Sequence, residues 1–309
     1  MSLIVVGTVA FDAIETPFGK TEKIVGGAAS YISLAASRFS KNIALISIVG
    51  EDFPKSYIQH LNGCGINTEG LQIIKGGKSF FWSGRYRNDM NTRDTLATEL
   101  NVLANFDPII PDKFRNYTSV MLGNLTPSVQ MKVLQQFNKR PQLVALDTMN
   151  FWMDNALDQL KEVLKLIDVL LINDEEARQL SGEYSLIKAA KSILNMGPEQ
   201  LVIKKGEHGA LLFNKMNQVF FAPALPLEEV FDPTGAGDTF AGGFMGYLDA
   251  TADYTFENMK RAIIFGSAMA SFCVEKFGTE KLQELEYSNI KLRVEKFIKL
   301  VQFDIKLNN

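Results

Sequence analysis

Short apolar runs recur along this chain, and a stretch with helical spacing follows most of them. The first run, residues 3–7, ends at a glycine, which is typical of a buried strand that opens an α/β domain. Continuous apolar character indicates a strand that is buried on both faces. The runs are residues 3–7, 43–49, 120–122, 143–147, 169–172 and 201–204. Strands that alternate with helices predict a mostly parallel central sheet with helices on both faces.

One region does not follow this alternation. In residues 71–98, glycines and the aromatic side chains of Phe81, Trp82 and Tyr86 are interleaved with polar residues, as in hairpin strands. Together with residues 10–25, this region is expected to form a small, discontinuous β lid. The 309 residues are otherwise expected to form one α/β domain.

Composition excludes several classes of function. A net charge of -3 and a pI near 5.6 argue against a nucleic-acid-binding surface. Two cysteines and two histidines provide no zinc-binding set, and so few cysteines fit a reducing cytoplasm. No run approaches the roughly 18 apolar residues of a membrane span. We therefore expect a cytoplasmic protein that binds neither nucleic acid nor membrane.

Residues 232–240 read Asp-Pro-Thr-Gly-Ala-Gly-Asp-Thr-Phe and precede a run with helical character. The N–H groups of Gly235, Ala236 and Gly237 can hold an anion at the positive end of that helix. Asp238 can take a proton from a nucleophile that attacks this anion. The alternative is an ordinary helix start, in which the aspartate compensates the helix dipole.

Four motifs in this order resemble the PfkB (ribokinase-like) family of carbohydrate and nucleoside kinases over nearly the whole chain. Residues 232–238 match the D-T-x-G-A-G-D signature, with proline in place of the first threonine. Residues 25–31 contain the di-glycine motif, residues 173–176 the N-x-x-E motif, and residues 204–210 a glycine loop. The resemblance implies a ribokinase-like three-layer sandwich over residues 1–309, with the β lid described above.

The resemblance assigns the catalytic residues. Asp238 would be the general base, and Gly235, Ala236 and Gly237 would form the anion hole for the phosphoryl group. By the same likeness, Asp232 would help to bind K⁺ or another monovalent cation.

The resemblance also assigns a nucleotide side. Asn173 and Glu176 would act through water on Mg²⁺ and the ATP phosphates, unless Glu176 is simply a solvated acid at a helix N-terminus. Lys204 would pair with a phosphate, unless it simply ends an edge strand. Three glycines complete the implied nucleotide site, namely Gly206, Gly209 and Gly266; the first two have a hairpin turn as their alternative reading.

On the acceptor side, Asp12 would receive hydrogen bonds from sugar hydroxyls, and Gly26 and Gly27 would let the backbone approach the sugar. Tyr31 departs from the asparagine that is common in the family. It should change which hydroxyls are recognised, or offer a stacking face to a base or ring. Arg85 is the candidate substrate-binding residue of the arginine-rich lid segment, which could bind a polyhydroxylated or anionic substrate.

Other readings of the lid remain open. Its arginines could be solvated or could contact a second subunit, and Phe81 and Trp82 are interpreted as lid core or dimer contacts. Lid pairing would make the protein a homodimer.

The implied activity is ATP- and Mg²⁺-dependent phosphorylation of a hydroxyl on a small sugar or sugar-like molecule. A nucleoside kinase is the first alternative, favoured by Tyr31 and the aromatic lid. A catalytically silent sugar- or nucleotide-binding protein is the second alternative.

Overall fold

The computed structural model describes residues 1–302 of the chain. The strands are β1 (Leu3–Val6), β2 (Ala10–Thr16), β3 (Gly19–Lys20), β4 (Ile24–Gly26), β5 (Ile43–Gly50), β6 (Ile66–Ile74), β7 (Phe81–Tyr86), β8 (Arg93–Glu99), β9 (Ser119–Leu122), β10 (Leu143–Asp147), β11 (Val169–Asn173), β12 (Gln200–Lys204), β13 (Ala210–Asn214) and β14 (Val219–Ala222).

The helices are α1 (Ala28–Ala36), α2 (Lys55–Gly63), α3 (Pro127–Leu134), α4 (Asn150–Asn155), α5 (Leu157–Leu164), α6 (Asp174–Ser181), α7 (Leu186–Leu194), α8 (Ala236–Thr251), α9 (Phe256–Cys273), α10 (Glu280–Gln283) and α11 (Tyr287–Val301). Within residues 1–302, no helix is both long enough and apolar enough to cross a bilayer.

The large sheet has nine strands in the order β14-β13-β12-β11-β10-β9-β1-β5-β6. The seven strands from β12 to β6 in this order pair in parallel, whereas β13 and β14 are added by antiparallel pairing. This topology confirms the predicted mostly parallel sheet.

A separate hydrophobic core lies on each face of the large sheet. The four residues of β1 are 0% exposed, and they alternate between the two faces. Leu3 and Val5 join a core with residues from α1, α2 and α8 to α11, whereas Ile4 and Val6 join a core with residues from α3 to α7. The prediction of helices on both faces, and hence of a three-layer sandwich, is confirmed.

The small sheet forms a lid. Its strand order is β3-β2-β7-β8, and β4 also pairs with β2. The lid therefore consists of strands within residues 10–26 and 81–99. Residues 71–74, which the sequence assigns to the lid, instead complete β6 in the large sheet by pairing with residues 47–50 of β5. The apolar strand β5 pairs in parallel with these residues, and their own local sequence does not reveal that pairing.

Candidate active site

Three polar residues lie at the carboxyl ends of neighbouring parallel strands. Asp147 ends β10, Asn173 ends β11 and Lys204 ends β12. Ligand sites in open α/β sheets lie at this edge of the sheet. Because β12 lies between β11 and β13, it is not an edge strand, and the edge-strand reading of Lys204 is wrong.

The turn at residues 235–237 caps α8. Gly235 has a φ angle of 74°, and a Cβ atom at this position would lie 2.5 Å from the ring of Tyr31. The turn therefore requires glycine on both conformational and steric grounds. Ala236 and Gly237 begin α8, and Asp238 lies in its first turn. The Ala236 N–H donates to the Pro233 carbonyl oxygen at 3.2 Å, so the structure does not support its predicted place in the anion hole. The N–H groups of Gly235 and Gly237 have no backbone partner within residues 1–302, and they border the same space as Asp238.

Asp232 holds this turn in place. Its Oδ1 atom accepts a hydrogen bond from the Thr234 N–H at 2.8 Å, and its Oδ2 atom accepts one from the Gly278 N–H at 2.9 Å. Burial raises the pKa of Asp232. Within residues 1–302, no three His, Cys, Asp or Glu side chains are grouped so as to hold a metal ion. A monovalent-cation role for Asp232 stays a prediction.

A buried ion pair forms the floor of the site. The Lys204 Nζ atom lies 2.7 Å from the Asp147 Oδ2 atom, and these side chains are 16% and 9% exposed. A Cβ atom at Gly237 would lie 3.2 Å from Nζ, so the ammonium stands beside the turn at 235–237. Burial disfavours the charged lysine, but Asp147 and Glu176 outweigh this effect and raise the pKa of Lys204. The floor therefore presents a positive charge to an anion in the turn.

Two further carboxyl groups in the site have near-neutral pKa values. Burial, aided by the charge of Asp147, raises the pKa of Asp238 to about 7, although Lys204 and Arg93 oppose the rise. Burial and Asp147 likewise raise the pKa of Glu176 to about 7. A base with a pKa near the operating pH is efficient at accepting a proton, so the environment of Asp238 suits general-base catalysis.

Asn173 and Glu176 form a capping box at the start of α6. The Asn173 Oδ1 atom accepts from the Glu176 N–H, and the Glu176 Oε2 atom accepts from the Asn173 N–H, both at 2.8 Å. Within residues 1–302, the Glu176 Oε1 atom accepts no hydrogen bond and can take one from water. One such carboxylate oxygen fits a Mg²⁺ ion that is held mainly by water and phosphate.

On the opposite side of the site, Asp12 lies against the di-glycine motif. A Cβ atom at Gly26 would overlap a carboxylate oxygen of Asp12, and Gly27 caps α1 with a φ angle of 88°. Burial raises the pKa of Asp12 to about 7; the Gly27 N–H opposes this rise, and the charges of Asp232 and Asp238 add to it. The structure thus brings Asp12, Gly26 and Gly27 together near Asp238.

Tyr31 does not line an open substrate site. It is 1% exposed, and its ring packs against Gly235 in the large core. Its hydroxyl group has no hydrogen-bond partner within residues 1–302. The expectation of a stacking face is therefore wrong, because every side chain of α1 is buried.

Arg85 faces away from the site. Strand register places Arg85 beside Glu15, and the Arg85 Nε atom lies 2.8 Å from the Glu15 Oε1 atom. Residues alternate between the two faces of a strand, so this outer face of the lid is opposite the face of Asp12. The expected role of Arg85 in substrate binding is not supported by this orientation.

The inner face of the lid carries different side chains. Trp82 is the cross-strand neighbour of Asp12, and its half-buried ring lies over Gly84. Tyr86, which is four residues after Trp82 on the same face, accepts a hydrogen bond from the Thr234 hydroxyl at 3.2 Å. The lid thus contacts the turn that precedes α8.

The three glycines predicted for the nucleotide side differ in their surroundings. Gly206, at φ 55°, lies next to the lid tip, where its Cβ atom would come 2.9 Å from the Asn91 Oδ1 atom. Gly209 packs against the carbonyl group of Ala222, which supports the hairpin reading. Gly266 is buried where α9 crosses α8, and a Cβ atom there would lie 2.8 Å from the Phe240 carbonyl oxygen. The structure therefore gives Gly266 a packing role rather than a surface for the nucleotide.

Sequence reasoning did not assign roles to Asp147 or Tyr86. The position of Asp147 at the end of a buried apolar run, like that of Asn173, was a usable signal. The contact of Tyr86 depends on how the lid folds over the large sheet, and no local pattern indicates it.

Comparisons with known proteins identify a family and similar sequences. The model of the pfkB family carbohydrate kinases matches residues 2–285. A cytidine kinase of Thermococcus kodakarensis is 29% identical over 254 residues, which are 80% of this chain and 88% of that protein. A nucleoside kinase of Methanothermobacter thermautotrophicus is 26% identical over 307 residues, which are 90% of this chain and 91% of that protein.

Solved structures show the same fold. The crystal structure of a putative ribokinase II from E. coli in complex with ATP and Mg²⁺ superimposes with a TM-score of 0.79 at 18% identity, covering 96% of this chain and 99% of the other. The fold thus has a counterpart in a solved structure, and the family model spans nearly the whole chain. The chain belongs to the pfkB family of carbohydrate kinases.

Proposed function

We propose that this chain transfers the γ-phosphoryl group of ATP to a sugar hydroxyl of a nucleoside, with Asp238 as the general base. One observation carries the reaction type. Asp238 stands in the first turn of α8, beside the unpaired backbone N–H groups of Gly235 and Gly237 and the ammonium of Lys204. Phosphoryl transfer needs mainly positioning and charge stabilisation, and this arrangement supplies both.

In the proposed step, the acceptor oxygen forms a bond to the γ-phosphorus while the bond to the β–γ bridging oxygen breaks. ADP leaves with that electron pair, and the hydroxyl proton passes to Asp238. The turn and Lys204 offset the negative charge that develops on the phosphoryl oxygens.

Glu176, with Asn173 fixing its carboxylate, would hold Mg²⁺ through water. When bound, this ion neutralises negative charge on the ATP phosphates. The capping box leaves one oxygen of Glu176 for this contact, which supports the assignment.

The side chains on the inner face of the lid are the basis for the proposed class of acceptor. A carboxylate only accepts hydrogen bonds, so Asp12 suits the hydroxyl donors of a ribose. Beside it, the ring of Trp82 offers an aromatic surface that a base can stack on and that a free sugar needs less. The names of the two relatives described above, a cytidine kinase and a nucleoside kinase, also favour a nucleoside.

The proposal retains three predictions of the sequence. They are a monovalent cation near Asp232, a homodimer formed through the lid, and a cytoplasmic location.

An ADP-release assay with Mg-ATP tests the proposal across nucleosides, free pentoses and hexoses. We expect nucleosides to give the highest kcat/KM, with ADP and phosphorylated product formed in equal amounts. Asp238→Asn should lower kcat by about 10²- to 10⁴-fold while ATP binding persists, because only the proton acceptor is lost.

A higher kcat/KM for free ribose than for its nucleosides would instead support the sugar-kinase reading. Near-normal turnover by Asp238→Asn would refute the assigned base. ATP binding without ADP release for any acceptor would favour the silent binding protein.

A further inference from the structure

The lid carries three arginines, and two of them are paired on its outer face. Arg85 contacts Glu15 as described above. Arg87 makes two hydrogen bonds to Asp94, from Nε to Oδ2 at 3.2 Å and from Nη2 to Oδ1 at 2.9 Å. These four charged groups pair with each other, and Arg85, Arg87 and Asp94 are exposed to solvent whereas Glu15 is half-buried.

Arg93 is on the other face. It is the cross-strand partner of Tyr86 in the β7–β8 pair, and directly opposed residues share one face of a sheet. Its guanidinium carbon lies 5.7 Å from the centre of the Trp82 ring. Among residues 1–302, no carboxylate forms an ion pair with Arg93. The third lid arginine is thus a cation on the inner face without an anionic partner.

Two contacts of the lid define where Arg93 is held. On one side, its neighbour Tyr86 meets Thr234 at the start of the turn that caps α8. On the other side, Asn91, two residues before Arg93, lies against Gly206 in the loop predicted to bind the nucleotide. Arg93 therefore stands above the gap between the anion turn and this loop.

The electrostatics of the floor agree with this placement. The charge of Arg93 reaches two buried carboxyl groups and lowers the pKa of both Asp238 and Glu176 against the effect of burial. Lys204 acts on the same two groups from below. Two cations thus approach one space from opposite sides.

We infer that Arg93 is a catalytic residue whose guanidinium contacts the phosphoryl group during its transfer. The inference rests on the proposed function and adds a group to it. Arg93 donates hydrogen bonds to the non-bridging phosphoryl oxygens and exchanges no proton, so the bonds formed and broken are those given above. A planar guanidinium with several donors suits such oxygens, and Lys204 complements it as a point charge.

The test compares Arg93→Gln with Arg87→Gln, which removes the same charge from the outer face of the lid. Single-turnover rates and equilibrium binding of ATP and nucleoside are measured for both variants. We expect Arg93→Gln to lower the phosphoryl-transfer rate by about 100- to 1,000-fold, as for other groups that stabilise developing charge. Arg87→Gln should change the rate by less than about threefold, since its ion pair is exposed.

A second measurement separates chemistry from lid folding. Millimolar guanidinium ion should restore part of the transfer rate to Arg93→Ala, but not to Asp238→Asn, because only the first variant lacks a guanidinium group. A merely structural role for Arg93 would show no such rescue.

Three outcomes would overturn the inference. In the first, Arg93→Gln is as active as Arg87→Gln. In the second, its loss appears only in nucleoside affinity, so that Arg93 reads the acceptor. In the third, the wild-type chain is silent with every acceptor, which removes the proposed function as well; the first two leave that function standing.

Discussion

Two ion pairs of nearly equal length occupy opposite environments in this protein. The Arg87–Asp94 pair on the outer face of the lid measures 2.9 Å, with side chains 61% and 48% exposed. The Lys204–Asp147 pair in the floor of the site measures 2.7 Å, with side chains 16% and 9% exposed. Solvent screens the first pair, whereas each partner of the second depends on the other. Burial, rather than distance, decides what a charge does here.

The same contrast appears in single carboxyl groups. Hydrogen bonds from Arg87 hold the pKa of Asp94 below its usual value. Burial raises the pKa of Asp238 to about 7, even though two cations lie nearby. The exposed acid is a stable anion over a wide pH range, and the buried acid is able to exchange a proton near neutrality. Only the second behaviour suits the general base proposed here.

Breaking the buried pair should have the largest effect. Lys204→Met leaves Asp147 as a buried charge without its partner, so we expect the free energy of unfolding to fall by about 3–5 kcal/mol. Denaturant unfolding at pH 7.5 measures this change.

The double variant Lys204→Met/Asp147→Asn serves as the control, because it removes both charges. It should recover much of the lost stability. If the free energy of unfolding of Lys204→Met were within about 1 kcal/mol of the wild-type value, hydration of Asp147 would already compensate for the loss of its ion-pair partner.

The pH dependence of stability sharpens the comparison at Asp238. Its pKa is 3.8 in the reference state and about 7 when folded, so between these values the folded chain binds a proton that the unfolded chain has released. Stability therefore falls as pH rises through this window. Asn cannot ionise, so we expect Asp238→Asn to raise the free energy of unfolding at pH 8 by an amount on the order of 1–4 kcal/mol, and by much less at pH 4.

Thermal unfolding of the ligand-free protein at the two pH values provides the measurement. An equal change in melting temperature at pH 4 and pH 8 would show that ionisation of Asp238 does not destabilise the folded protein.

The smallest effect is expected at Asp94, with the opposite sign. Because the folded state lowers the pKa of Asp94, its anion contributes stability above the usual carboxyl pKa and loses it as pH falls. Asp94→Asn should therefore slightly lower the melting temperature at pH 8, and salt should reduce the difference. A rise in melting temperature like that of Asp238→Asn would erase the distinction between the two regions.

Much of the fold could be predicted from local sequence patterns. Apolar runs such as residues 169–172 identify strands of the large sheet because parallel strands are buried on both faces. Polar residues directly after such runs, such as Asn173 and Lys204, fall at one edge of the sheet for the same topological reason. The positions where strands end and helices begin could therefore be predicted from the sequence.

Orientation could not be predicted in the same way. Arg85 and Arg93 occur in one arginine-rich segment, yet strand register turns one toward Glu15 and the other toward the site. The burial of Tyr31 depends on the close packing of Gly235 against its ring, over two hundred residues away in the chain. Gly266 shows a similar ambiguity, because a small residue suits a helix crossing as well as a ligand surface.

The two contacts of the lid have a kinetic consequence. Tyr86 and Asn91 belong to the same hairpin, but one contacts the turn before α8 and the other contacts the loop at Gly206. A single outward motion of this hairpin would release both contacts, so under the proposed function entry of the acceptor and exchange of the nucleotide would share one gate. The turnover number then has an upper limit in the opening rate of that gate, however fast the chemical step becomes.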